Sequence, residues 1–328
     1  MKLREKLKQF NAPKIIFLII ALIPMLMLAY IVVNIFINSI PAMTHIGFFG
    51  YGKLFSSEIA GVLTSTNGEE YYGLLPGIWG TVLVVVVAMA IAFPESMTIA
   101  IFANEFTLGT LGKGIRAILG IFAGIPPIIY ALVAGVFAKL IIIPKFCGAG
   151  YTGNMPPPGM TWWYAGSFPF YTSTLLGGMM LSFLLVPFLA PLLDDALRGV
   201  PNPLKEASYS LGANRWYTLQ HVILPYSSSE ILSASSLAIL KAMGDVVIVG
   251  MVIGFQSLLP YPLFDVLKST APLTSTGAGF AGGFSQGLST PLRNSAANFT
   301  GLLLLVLAFA VLVIFQIIQR KLKRRFES

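Results

Sequence analysis

The sequence has little charge, one cysteine and two histidines. Of its 328 residues only 10% are charged and 56% are hydrophobic, whereas soluble domains carry about 25% charged residues. The single cysteine, Cys147, excludes an internal disulfide, and two histidines do not make a zinc constellation. We therefore expect no metal and no cofactor. The composition excludes a soluble enzyme and favours a bundle that faces lipid.

The positive net charge of +8 does not indicate a nucleic-acid partner. A nucleic-acid binder needs a basic face on its folded core, but the basic residues here lie between long apolar runs. Lys and Arg accumulate in the short cytoplasmic loops of membrane proteins. The charge therefore predicts membrane topology and contact with lipid.

Six apolar stretches are long enough to cross a bilayer, which needs about 20 residues of helix. The first is too long for the apolar region of a signal peptide, and proline at Pro94, before Glu95, is expected to kink the second. We predict an all-α fold, a polytopic membrane bundle of about six transmembrane helices. The stretches are residues 15–38, 75–103, 116–141, 171–193, 228–255 and 299–319.

The basic residues orient these spans. With both termini in the cytoplasm, most of them fall on the inner side, as the positive-inside tendency requires. The predicted plan is a cytoplasmic N-terminus (1–14), a transmembrane domain (15–319) with a cytoplasmic loop at about 191–226, and a cytoplasmic C-terminus (320–328). The outer segments hold only Lys53, Lys145, Lys268 and Arg293, with Lys139 at an outer helix end and Lys241 inside a span.

The cytoplasmic loop contains a motif of fixed spacing. Glu206 and Ala207 precede Gly212, nine further residues follow, and Val222-Ile223-Leu224-Pro225 closes the run. We expect a short helix, a sharp turn that glycine permits and a second short helix, which together form a rigid finger. The alternative is an ordinary amphipathic loop. The spacing resembles the E-A-A-x3-G-x9-I-x-L-P motif of the permeases of binding-protein-dependent ABC importers, the MetI-like family.

This resemblance implies a mechanical role for the loop. In the family the finger lies in a groove of a separate ATPase subunit, so ATP is hydrolysed on a partner and the chain itself is a transporter subunit, not an enzyme. The Gly109–Gly114 run lacks the spacing of a phosphate-binding loop. The residues to which the resemblance assigns ATPase coupling are Glu206, Ala207, Gly212, Arg215, Leu224 and Pro225.

Four further segments resemble the phosphate-specific permeases, the PstC type more than the PstA type. That resemblance implies inorganic phosphate as substrate, with a PstA-like second permease, two PstB-like ATPase subunits and an external PstS-like phosphate-binding protein. Another oxyanion, such as molybdate, tungstate or sulfate, is an alternative substrate. A secondary transporter is disfavoured, because it would need no finger and the sequence has no internal repeat. The segments are 73–81, 100–105, 124–130 and 195–201.

Charged residues inside the predicted spans are candidates for the substrate pathway. A charge at the centre of a membrane helix costs about 2.5–3.5 kcal/mol, yet the fifth span contains Lys241 and Asp245. Four residues apart, they are expected to share a helix face and partly neutralise each other. The phosphate permeases carry Arg and Glu here, which implies a role in anion passage; a structural ion pair is the alternative. Glu95 is predicted either to face Lys241 or to mark a helix break.

Two other patterns are interpreted as structural. The run Gly277–Gly282 matches the dinucleotide-binding pattern of glycines, but no strand precedes it, so we expect a flexible or re-entrant connection. Asp194 and Asp195 are adjacent carboxylates, which point different ways on a helix. We interpret them as part of a solvated turn.

Overall fold

The computed structural model describes residues 12–44, 74–107, 109–137, 173–253, 263–266, 270–282 and 291–327. Within these ranges the regular structure is helical and contains no strand, so the predicted all-α class is confirmed. Cys147, the N-terminal tail up to residue 11 and the outer ends of the predicted third, fourth and fifth spans lie outside the described residues.

The described helices are numbered in chain order. π-helical segments follow some of these helices, among them Phe102–Phe106 (the π-segment below) after α2 and Leu219–Ile223 after α7. The helices are α1 Ala12–Ala42, α2 Leu75–Ile101, α3 Gly109–Ala123, α4 Pro127–Phe137, α5 Thr174–Arg198, α6 Asn202–Ser210, α7 Arg215–Thr218, α8 Leu224–Tyr226, α9 Ser228–Gly244, α10 Val247–Val252, α11 Leu273–Gly282 and α12 Pro291–Glu327.

Four of these helical stretches are long and apolar enough to cross a membrane, and they overlap the predicted first, second, fourth and sixth spans. α3 and α4 add a fifth candidate if the bent pair is one span. The described residues therefore hold four or five candidate spans, fewer than the six predicted. The four stretches are Phe17–Ala42, Leu75–Phe106, Thr174–Arg198 and Pro291–Leu322.

Within the described residues the predicted third span is bent. α3 and α4 meet at an angle of 89°. The bend falls at Gly124, Ile125 and Pro126. Pro126 and Pro127 lack the backbone N–H that would continue the hydrogen-bond ladder, so the chain turns before the second helix begins.

The predicted fifth span is also divided. α9 ends at Gly244, and Asp245 has an extended backbone with φ −75° and ψ 115°. The Asp245 carboxylate accepts a hydrogen bond from the Ile248 N–H at 2.8 Å. This local bond between side chain and backbone replaces the continuation of α9 and caps the start of α10. The two charges of this span are consequently not on one continuous helix.

The second and fourth candidate spans end beyond the predicted limits at residues 103 and 193, the second because the π-segment continues it to Phe106. α2 runs unbroken through Pro94 and Glu95 to Ile101, which excludes the predicted helix break at Glu95. α5 continues to Arg198, so Asp194 and Asp195 belong to a helix and the prediction of a solvated turn was wrong.

The packing of α2 against α5 forms the centre of the bundle. Lipid is as apolar as leucine, so membrane helices associate where small residues let backbones approach closely. Gly178 of α5 lies so close to α2 that an added Cβ would collide with Val87. Below this contact a fully buried leucine recurs every fourth residue along one face of α5. These leucines are Leu181, Leu185, Leu189, Leu193 and Leu197.

The first and last spans pair at the periphery. The apolar stretches of α1 and α12 remain unburied within the chain, as expected of helices that meet lipid or another subunit. Near the start of α12, the Ser295 hydroxyl donates to Asn38 O and accepts from Ala42 N, both at 2.7 Å. Near its other end, Gln319 donates to Ser233 Oγ at 2.6 Å. α12 thus runs from the C-terminal end of α1 to the beginning of α9.

The run Gly277–Gly282 lies within α11, so the flexible connection predicted there was wrong, and the re-entrant connection stays a prediction. The Thr81 hydroxyl of α2 accepts a hydrogen bond from the Leu273 N–H at 3.0 Å. Thr274 donates to Asp245 O at 3.2 Å. These bonds fix the start of α11 to α2 and to the break in the fifth span.

Candidate functional site: a helical finger and its anchors

Residues 202–218, comprising α6, a turn and α7, form a finger at one end of the bundle. Pro203 stands in the first turn of α6, where proline's missing N–H is not needed. The Asn214 side chain accepts from Tyr217 N at 2.7 Å and caps α7. The hydroxyls of Ser208 and Thr218 are hydrogen bonded at 2.9 Å. This bond ties the two short helices together, so the finger is one rigid unit.

The turn of the finger depends on Gly212. Its φ of +85° is in the left-handed region, and within the described residues no other residue has a positive φ. Gly212 N donates to Tyr209 O and Ala213 N donates to Ser208 O, the paired bonds of a Schellman motif. The predicted glycine turn is confirmed.

The outer side of the finger is apolar and exposed. Leu211, at the tip, is 89% exposed, and nothing in the bundle covers it. Glu206, Ala207 and Gly212 are exposed as well. A cluster of exposed apolar side chains is a feature of interaction surfaces. Its large members are Leu204, Tyr209, Leu211, Trp216 and Tyr217.

The return segment (residues 219–226) packs into the bundle. Leu219 and Ile223 are almost fully buried against Leu193 and Leu197 of α5. Leu224 packs against the same cluster, and Pro225 is half-buried. The closing part of the sequence motif therefore fixes the finger to the end of α5, while the opening part faces outward.

Glu105 of the π-segment anchors both halves of the finger. Its carboxylate pairs with the Lys205 ammonium of α6 at 2.6 Å, and the two side chains are only 7% and 15% exposed. Its main-chain oxygen accepts a hydrogen bond from the Arg215 guanidinium of α7 at 3.0 Å. Arg215, predicted as a coupling residue, thus contacts the bundle.

Asp194 of α5 is a second anchor, which holds the π-segment rather than the finger itself. Its carboxylate, 5% exposed, accepts two hydrogen bonds from Arg116 of α3, at 2.7 and 3.1 Å. Arg198 adds an ion pair at 3.2 Å. Arg116 also donates to Ala103 O of the π-segment at 3.1 Å. Buried ion pairs with several hydrogen bonds hold their elements in one arrangement, because a charge left unpaired there is costly.

Sequence reasoning missed both anchors. Asp194 and Arg198 are four residues apart, the spacing of neighbours on a helix face. This spacing was a signal that the chain is helical here and does not form the predicted turn. Glu105 and Lys205 are 100 residues apart in sequence, so only the packing of the bundle reveals that pair.

The predicted pathway residues do not form one cluster. The Lys241 ammonium lies over the Phe188 ring, 4.1 Å from its centroid, a favourable cation–π position. Although both are described, Lys241 and Asp245 form no ion pair, and neither do Lys241 and Glu95. Glu95 and Lys241 are exposed on the single chain. The alternative of a structural ion pair is therefore not observed, and the partial neutralisation of Lys241 by Asp245 stays a prediction.

The chain is similar to known proteins. The family described as "Binding-protein-dependent transport system inner membrane component" matches residues 96–328. The Phosphate transport system permease protein PstC of Xylella fastidiosa is 31% identical over 260 residues, covering 78% of this chain and 76% of the relative.

Two solved transporters have a similar fold. The MetNI methionine ABC transporter in inward-facing conformations aligns with a TM-score of 0.55 and 19% identity, over 76% of this chain and 95% of that one. A bacterial alginate ABC transporter, in complex with its alginate pentasaccharide-bound periplasmic protein, gives a TM-score of 0.59 and 16% identity, over 93% and 94%. The predicted MetI-like fold and the PstC-type resemblance are confirmed. Because the family match spans most of the chain and includes the whole finger, the chain belongs to the binding-protein-dependent transport system inner membrane components and is a multi-pass permease subunit of an ABC importer.

Proposed function

We propose that this chain is the permease subunit of an importer of inorganic phosphate. The observation that carries the proposal is the finger, with its exposed apolar tip and its buried anchors, in a chain 31% identical to a phosphate transport system permease. The finger's exposed face docks in a groove of an ATPase subunit, where ATP is bound and hydrolysed. Glu206, Ala207 and Gly212 lie on or beside that face.

The complete importer contains a second permease, two ATPase subunits and an external phosphate-binding protein. Closure of the ATPase pair on ATP pushes the fingers together and opens the permeases outward, so that substrate passes between them by alternating access. The apolar surfaces of α1 and α12, unburied in the single chain, are available to lipid and to the second permease.

We propose that the finger and both termini are cytoplasmic. Gln319, near the end of α12, bonds Ser233 close to the finger, whereas Ser295, near its start, bonds Ala42 at the end of α1. α1 and α12 are therefore antiparallel, and this supports placing both chain ends on the side of the finger. The basic residues near both ends agree with a cytoplasmic location.

Lys241 is proposed to line the anion pathway. It stands thirteen residues after the start of α9, about 20 Å along the helix, and is exposed on the single chain. An ammonium that faced lipid at that depth would cost free energy. We therefore expect the exposed side of Lys241 to face the second permease and the path between the subunits. Asp245 caps α10, which favours a structural role. Glu95, exposed on the single chain, is the second candidate for the pathway.

Uptake by the assembled importer tests the substrate. In vesicles that contain both permeases, the ATPase subunits and the binding protein, radiolabelled phosphate is expected to accumulate only with ATP and binding protein. A hundredfold excess of unlabelled phosphate, about the excess needed to displace the label, should abolish the signal. Molybdate, tungstate and sulfate should leave it nearly unchanged. Competition by one of these anions at low excess would assign that oxyanion instead.

The substitution Lys241→Ala tests the pathway. A phosphate anion in a low-dielectric passage needs positive charge nearby, and tenfold in rate corresponds to about 1.4 kcal/mol. We expect uptake to fall about tenfold or more while assembly and ATP hydrolysis are kept. Lys241→Arg should retain most uptake because the cation remains. Asp245→Asn should have a mild effect, since the amide oxygen still caps Ile248 N. Normal uptake by Lys241→Ala would refute the pathway assignment but not the permease assignment.

A further inference from the structure

The π-segment joins the finger to the rest of the bundle. It continues directly from α2, an unbroken helix from Leu75 to Ile101. Two of its main-chain oxygens accept bonds from guanidinium groups of different elements, α3 and α7. Ala103 O is bonded by Arg116, which Asp194 holds, and Glu105 O is bonded by Arg215 of the finger.

Glu105 is the residue of this segment that binds both halves of the finger. Its side chain binds Lys205 of α6 and its main chain binds Arg215 of α7. The Glu105 and Lys205 side chains are almost fully buried, so water screens this pair little and a shift of the finger cannot easily break it. The finger's connection to α2 therefore consists of charge-assisted bonds, which are short and directional.

We propose that Glu105 is the positioning residue through which movement of the finger is transmitted to α2, an inference that rests on the proposed coupling role of the finger. When the ATPase subunits displace the finger, the Glu105–Lys205 pair makes the end of α2 follow. α2 packs along the length of α5 at the centre of the bundle, so a displacement of its end reaches the membrane-embedded part of the permease.

The substitution Glu105→Gln tests this inference in the assembled importer. It removes the charge while the main-chain bond to Arg215 can persist. We expect normal assembly and basal ATP hydrolysis within about twofold of wild type, with phosphate moved per ATP reduced about tenfold, a size typical of coupling between distant sites. Exchanging the charges, in Glu105→Lys with Lys205→Glu, should restore much of the lost ratio. Glu230→Gln, which neutralises an exposed carboxylate in the first turn of α9, is the matched control and should leave the ratio unchanged.

A distance measurement gives a second readout that needs no transported anion. With Cys147 replaced by serine, spin labels are attached at Thr98→Cys on α2 and Leu237→Cys on α9, two exposed positions. ATP should change the label separation in the otherwise unaltered importer, and Glu105→Gln should remove most of that change.

The outcomes separate this inference from the proposed substrate. An unchanged phosphate-to-ATP ratio and an unchanged ATP-driven label movement in Glu105→Gln would overturn the inference. So would failure of the charge exchange to restore either readout. If the importer with wild-type Glu105 moves its labels on ATP but accumulates no phosphate, the proposed substrate is wrong, and the label movement in Glu105→Gln still decides the role of Glu105.

Discussion

Replacement of Gly212 by valine is expected to abolish most ATP-driven uptake while the permease still inserts. Gly212 has a φ of +85°, a conformation that costs a residue with a Cβ about 1–2 kcal/mol and a β-branched residue more. No atom lies within 4 Å of the position that a Cβ would take, so the whole effect comes from the backbone. A lost turn would misplace α6 relative to α7, and uptake should fall about tenfold or more.

Two controls separate this effect from general damage. Gly212→Asn should retain most uptake, because asparagine adopts left-handed conformations more readily than valine. Gly199→Ala, at a glycine of ordinary φ near −61°, should transport like the wild type. Uptake is compared at equal permease levels in the membrane and after co-purification with the ATPase subunits. Normal uptake by an assembled Gly212→Val importer would contradict the finger assignment.

The finger is the part of the molecule that the sequence predicts best. Its turn requires a residue that tolerates positive φ, and Gly212 stands at the right distance from Pro225 in the motif. The structure also explains why the closing part of the motif contains an aliphatic residue. Ile223 packs on Leu193 and Leu197, so an aliphatic residue is needed near Pro225. Local requirements of this kind are visible in sequence because a few neighbouring residues satisfy them.

The lengths of the spans were predictable where the apolar runs are uniform. The prediction failed where a polar residue caps a helix. The stretch 228–255 is apolar enough for one span, but Asp245 ends it by capping Ile248 N. Gly244 before Asp245 was an available signal, since glycine followed by a capping residue favours a helix boundary. In the third span, Pro126 and Pro127 were the corresponding signal for the bend.

The anchors of the finger depend on distant packing, which a single sequence does not specify. Arg116 and Asp194 are 78 residues apart, and their pairing depends on how α3 crosses α5. Composition also misleads here, because a basic residue near a cytoplasmic helix end is explained by topology alone. Topology alone accounts for Lys205 in the sequence, whereas in the structure Lys205 and the predicted coupling residue Arg215 both hold Glu105.

Replacement of Asp194 by alanine is expected to destabilise the permease clearly. The carboxylate neutralises Arg116 and Arg198 and is itself 5% exposed. Removing one partner of a fully buried pair costs about 3–5 kcal/mol because the other charge is left uncompensated. Arg116 is 27% and Arg198 44% exposed, so water relieves part of this cost and we expect a loss of about 2 kcal/mol.

The neighbouring carboxylate provides the control for that loss. Asp195→Ala removes the same group one position along α5, but Asp195 is exposed, and changes at such surface positions stay within about 0.5 kcal/mol. Thermal unfolding of the two purified variants in detergent should therefore show a clear decrease in melting temperature for Asp194→Ala and almost none for Asp195→Ala. Asp194→Asn should fall between them, because the amide oxygen still accepts one bond from Arg116 without compensating its charge. Equal melting temperatures for the two alanine variants would mean that the Arg116–Asp194 pair contributes no net stability.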